Sequence, residues 1–81
     1  MDRKEINERV LTIIQDITND KSIDENSHLI FEGILSSLQI IELISELEKD
    51  FAIKIPLTEI VPDNFDQVGS LCDMIERINK A

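Results

Sequence analysis

Apolar residues recur at helical intervals in three parts of the chain, and polar stretches separate them. The first run holds Ile6, Val10, Ile13, Ile14 and Ile17, spaced to share one helix face. Asp2 precedes it with Glu5 three residues on, the pattern of a capping box. Lys4–Glu8 and Glu5–Arg9 are four apart on the polar side, where such pairs add a small increment of helix stability. A helix over residues 3–17 follows, ending at Ile17 or Thr18 before the polar Asn19-Asp20. The second run holds Ile40, Ile44, Leu47 and Phe51, with Ile41 and Leu43 broadening the stripe. Either Ile40 or Ile41 joins the core. Ser36 followed by Gln39 is a second capping box, so this helix spans 37–51. The third run holds Val68, Leu71, Cys72, Ile75 and Ile78, with Met74 at its margin and Asp73 and Glu76 opposite. Asp66 stands where a cap is needed, and Arg77 and Lys80 lie near the end, where the helix dipole favours them. The spacing predicts a helix over 67–79.

The connections differ in kind. Residues 19–35 show no helical period, and a loop this long is uncommon in a compact domain unless it has a function or is disordered. Ile23, Leu29, Phe31, Ile34 and Leu35 argue against disorder, because they suffice to pin the loop to the core. Ala52-Ile53-Lys54-Ile55-Pro56 reads as a short extended segment stopped by proline, without a second strand to pair with. Thr58 can cap one turn of helix near 58–61, and Pro62-Asp63-Asn64 reads as a turn. The expected fold is all-α: a small antiparallel bundle of three longer helices plus one short helix, with a long loop between the first two.

Composition narrows this. Residues 1–81 are short enough for a single domain. Such a chain buries roughly 60–65% of its unfolded surface, so modest stability is expected. Two Gly and two Pro leave few breakers, and the apolar side chains are aliphatic apart from three Phe. The net charge is −9, and residues 16–76 hold fourteen acids against three bases. That field repels nucleic acid and anionic membranes and attracts basic protein surfaces, besides serving solubility. Cys72 is the only cysteine, so no intrachain disulfide forms, and its place in an apolar stripe suits a small hydrophobe. Neither a signal-peptide pattern nor a transmembrane run is present, and a monomer in a reducing, cytoplasmic setting is expected.

Few chemistries remain. Ser37 has no base near it in sequence, the single His28 being nine residues away in the loop, and no Gly-x-Ser-x-Gly elbow occurs. His28 lacks a Cys or His partner at metal-ligand spacing and reads as an ordinary loop residue. Phosphate-binding glycine loops and calcium loops are absent from the pattern. No catalytic residue and no metal ligand is expected, and the chain does not read as an enzyme. What stands out is Ser36-Ser37. If Ser36 caps the second helix, Ser37 is its first residue, with a spare hydroxyl at a helix start that favours phosphate. The simpler reading is a helix cap and nothing more.

The segment from Leu29 to Pro56 resembles the acyl carrier protein family, through Gly33-Ile34-Leu35, Ser37-Leu38, Glu42-Leu43, Leu47-Glu48, Phe51 and Ile55-Pro56. The glycine four residues before the serine, and the tail from Thr58-Glu59-Ile60 to Phe65-Asp66, are most similar to the D-alanyl and aminoacyl carrier branch. The resemblance implies that Ser37 receives 4′-phosphopantetheine from coenzyme A, by a phosphopantetheinyl transferase. The arm's thiol would then carry acyl or aminoacyl groups as thioesters between a loading ligase or synthase and later enzymes with basic docking surfaces. The cargo stays open among a fatty acyl group, an amino acid and a polyketide unit. The family usually has Asp before the modified serine. Ser36 can fill its capping role but not its charge, and Gln39 likewise replaces a residue that is often acidic. Transient docking suits a small apolar anchor in a charged field, for which Leu38 and Ile41, with Glu42, Glu46 and Glu48, are the candidates. The alternative is an unmodified acidic helical adaptor that binds a basic protein.

Overall fold

The structure, a computed structural model, describes residues 1–80. The chain runs α1 (Arg3–Thr18), α2 (Ser37–Phe51), a 3₁₀ turn (Leu57–Glu59), α3 (Pro62–Phe65) and α4 (Val68–Lys80). There is no strand among the described residues, as the missing strand partner for 52–56 implied.

The first two long helices start and stop for local reasons. Asp2 accepts the Glu5 amide at 2.9 Å and opens α1. At the start of α2 both halves of the capping box form: the Ser36 hydroxyl accepts the Gln39 amide at 3.2 Å, and Gln39 Oε1 accepts the Ser36 amide at 2.9 Å. Both helices end on a residue in the left-handed region, Asn19 (φ 54°) and Ala52 (φ 53°), whose amide turns back to the last carbonyls.

α1 packs against both α2 and α4, and α3 packs against α4. Ile6, Val10 and Ile14 of α1 meet Leu43, Leu47 and Phe51 of α2 and Val68, Leu71, Cys72, Met74 and Ile75 of α4 in one core. Ile23, Leu29 and Leu35 anchor the long connection to that core from the loop side, and Ile55 and Phe65 complete it. Ile13 and Ile17, placed on the α1 face from spacing, are half-buried at its edge.

Several expectations are corrected. The buried stripe of α2 is Leu43, Leu47 and Phe51, spaced by four, with Ile40 and Ile44 flanking it half-buried and Ile41 63% exposed. Phe31 does not pin the loop; its ring is 67% exposed. Met74 keeps its expected place at the margin of the α4 stripe and is fully buried there. The short helix falls on Pro62–Phe65, with Pro62 at its first turn, where a missing amide costs nothing. The expected turn at 58–61 is instead the 3₁₀ turn one residue earlier. Asp66 does not cap α4, and its carboxylate faces the long loop. On the surface of α1, Arg9 leans across to α2, pairing with Asp50 at 2.8 Å with its guanidinium 5.1 Å from the centre of the Phe51 ring. Its link to Glu5 is stretched to 4.0 Å.

Candidate functional site

The site is built on the first two turns of α2 and the loop that feeds them. Gly33 takes φ 68°, a left-handed conformation open to glycine at little cost, and its amide bonds to the Ile30 carbonyl at 3.0 Å. The Leu35 amide then bonds to the Leu29 carbonyl at 3.0 Å, so residues 29–35 form a loop closed at its neck. Ser36 follows at once as the cap. Its hydroxyl oxygen is engaged by the Gln39 amide, and its carbonyl accepts the Ile40 amide at 3.0 Å. Ser37 is the first residue of α2 and is exposed. Among the described residues nothing hydrogen-bonds its hydroxyl. The two serines therefore differ in kind: one oxygen holds the helix and the other is free, above unbonded amides and the positive end of the helix dipole. That donor set fits a phosphodiester on Ser37.

Leu38, Ile41, Glu42 and Glu46 lie at helical intervals on one face of α2, and all four are exposed, Leu38 by 66% and Ile41 by 63%. The structure places Leu38, Ile41 and Glu42 in the first two turns of α2 with Ser37, and Glu46 one turn further along. Glu48 lies two turns on from Ile41 along the same side of α2, half-buried, where its Oε2 accepts the Ile55 amide at 2.8 Å and fixes the extended segment after the helix. Glu42 and Glu46 border a shallow hollow against Ile13, Asp16 and Ile17 of α1, which extends the acidic field across two helices.

One apolar hollow of about 170 Å³ lies beside the start of α2, lined by Ile30, Ile40, Ile60, Val61, Pro62 and Phe65. Its size is close to the roughly 150 Å³ that holds a benzene-sized group in a protein core. Ile40, one turn after Ser37, forms part of its wall.

Spacing alone did not mark His28 and Asp66 as partners. Asp66 is 6% exposed and is the one buried polar residue among those described. His28 Nδ1 lies 2.6 Å from Asp66 Oδ2, and Asp66 Oδ1 accepts the amides of Ile30 at 3.1 Å and Phe31 at 2.9 Å. The Asp66 carboxylate raises the affinity of His28 for its proton. Burial works to raise the pKa of Asp66, but the Phe31 amide, His28 and the Ile30 amide outweigh it and hold the carboxyl below its usual range. These residues are 38 apart in sequence, and no periodic signal links them.

Cys72 offers no second thiol chemistry. It is fully buried, burial pushes its pKa up to about 11, and its Sγ–H donates to Asn7 Oδ1 at 3.1 Å. No cluster of three potential metal ligands occurs among the described residues, and no helix is long and apolar enough to cross a membrane.

A small helical bundle that presents one free serine hydroxyl at a helix start, with acidic and apolar side chains beside it, has the form of a carrier domain. The sequence model of the phosphopantetheine attachment site matches residues 8–75, and the chain belongs to that family of acyl carrier proteins, on which the cofactor is covalently attached. It is similar to the D-alanyl carrier proteins of Streptococcus pyogenes serotype M5 (strain Manfredo), serotype M49 (strain NZ131) and serotype M1, at 39% identity over 49 residues in each case. The matched stretch is 60% of this chain and 62% of each relative, so the chain spans somewhat under two thirds of their length.

Proposed function

We propose that residues 1–81 act as a single carrier domain, and that Ser37 bears the 4′-phosphopantetheine arm. The observation that carries this is the division of labour between the serines: Ser36 is consumed by the capping box, and Ser37 is exposed without a partner. In the attachment step a bond forms between Ser37 Oγ and phosphorus, a pyrophosphate P–O bond of coenzyme A breaks, and the nucleotide half leaves with the electron pair. The proton of the hydroxyl passes to a base on the transferase, since His28 is held against Asp66. Once attached, the arm supplies a thiol on which cargo rides as a thioester.

The chain's own part is to display, steer and release. Leu38 and Ile41 form the apolar anchor for a transferase and a loading ligase or synthase, and Glu42 and Glu46 draw in their basic surfaces. Glu48 adds its charge to that field at a distance. A small acyl or aminoacyl cargo is favoured by the size of the hollow beside α2, and an aminoacyl one by the similarity to D-alanyl carrier proteins. The experiment is intact mass after incubation with coenzyme A and a broad-specificity phosphopantetheinyl transferase. Wild type should gain one phosphopantetheine and Ser37→Ala none, while Ser36→Ala should still gain it. A Ser37→Ala variant that is modified would move the site. A wild type that is never modified would leave the acidic adaptor as the reading of this fold.

A further inference from the structure

Phe31 combines two properties that rarely coincide. Its ring is 67% exposed, yet its backbone amide is bound by a buried carboxylate. Asp66 holds four groups of the loop at once: the amides of Ile30 and Phe31 and the His28 ring on its side chain, and the Leu29 amide on its carbonyl at 2.7 Å. The loop is further closed by the Leu35–Leu29 and Gly33–Ile30 bonds. An apolar ring on a slack loop would fold back onto the core, whereas these bonds keep the Phe31 backbone in a place from which the ring faces water. The same closed loop runs directly into Ser36 and Ser37. Between Ser22 and Glu48 the chain has six carboxylates and no Lys or Arg, so whatever meets this stretch meets apolar side chains in a negative field.

Resting on the role proposed above for Ser37, we propose that Phe31 is a second docking anchor for the basic-faced transferase that modifies Ser37, and that Asp66 is the positioning residue that holds it out. The transferase is the occupant because its chemistry takes place at Ser37 Oγ itself, which requires close approach to the chain beside the serine. A loading enzyme acts at the thiol, at the far end of the arm. Complementary charge brings the partner in, and the ring, fixed in advance, loses little freedom on contact.

The test is steady-state transfer of phosphopantetheine from coenzyme A, followed by intact mass with the carrier as varied substrate, together with thermal melts. Phe31→Ala should raise the KM for carrier about tenfold with kcat and melting temperature unchanged, the size expected for loss of an apolar hot spot. Phe31→Leu should recover most of the loss. Asp66→Asn keeps the size of the side chain and should also raise KM. In the double variant Phe31→Ala/Asp66→Asn the KM should be no higher than in Phe31→Ala alone, since Asp66 acts through the ring. If wild type is modified and Phe31→Ala shows the wild-type KM, the anchor is wrong. If the two effects multiply, Asp66 is not acting through Phe31. If wild type takes no cofactor at all, the carrier role of Ser37 fails and the anchor with it.

Discussion

A hydrogen bond to the hydroxyl separates the two serines at the head of α2, and their energetics should separate with it. Ser36→Ala removes the acceptor for the Gln39 amide and should cost about 1 kcal/mol, the usual loss of an N-cap. Ser37→Ala touches an exposed first-turn position with no hydrogen bond to lose, so its melt should match wild type. Paired thermal melts check both. At the same scale, His28 and Asp66 make stability depend on pH. His28 binds its proton more tightly in the folded chain than its ordinary value of 6.5, through Asp66 first and with Glu32 adding to it. Stability from the pair is therefore full below about pH 6.5 and is lost as pH rises through the raised folded value. Asp66 is shifted the other way, so its share persists above its ordinary value of 3.8 and is lost as pH falls through the lowered folded one. Melting temperature should fall from pH 6 to pH 9 in wild type and fall less in His28→Gln. Equal slopes in the two proteins would show that the pair does not contribute.

At the scale of the element, α2 has two apolar faces with opposite uses. Leu43 is fully buried between α1 and the rest of the core, whereas Ile41, two residues earlier, is mostly in water. Leu43→Ala should cost roughly 2–5 kcal/mol, through lost transfer free energy and the cavity left behind. Ile41→Ala should fall within about 0.5 kcal/mol of wild type, as surface substitutions do. Denaturant melts with an unchanged m-value would measure the difference. A large loss for Ile41→Ala would mean that the outer face of α2 is covered. The exposed apolar face is free for the docking proposed above, and the buried one ties α2 to the core.

Across the whole molecule the charge is one-sided. The net charge is −9, and apart from His28 with Asp66 the ion pairs among the described residues are surface pairs, such as Arg3 with Asp73 and Glu76, or Arg77 with Glu59 at 2.7 Å. Such pairs contribute little to stability, whereas like charges crowded on a small body oppose folding. Added salt shortens the reach of that repulsion, to about 10 Å at 0.1 M. The melting temperature should therefore rise between low and moderate salt, as followed by circular dichroism or calorimetry. An unchanged value would mean that the excess acids are too far apart to repel. On the function proposed for Ser37, the same field that weakens the isolated fold would steer basic enzymes to it, so salt should raise stability and slow modification together.

The sequence by itself determined what is local. Periodicity and caps placed the three long helices to within a residue or two, because a 3.6-residue repeat and a serine or aspartate at its head act over one or two turns. That Ser36 is engaged as the cap while Ser37 opens the helix followed from the same short-range rule. Tertiary structure alone decided what depends on neighbours distant in the chain. Which of the α2 isoleucines is wet depends on where α1 lies. Met74, at the margin of its stripe, is as buried as the centre because both α1 and α3 pack on α4. Asp66 looked like a cap because it precedes an apolar run. It instead binds His28, Ile30 and Phe31, since a carboxylate buried at that junction needs donors and the loop amides there have no helix to satisfy them. Phe31 was read as core for its apolarity alone, and stands in solvent because those bonds fix the backbone beneath it.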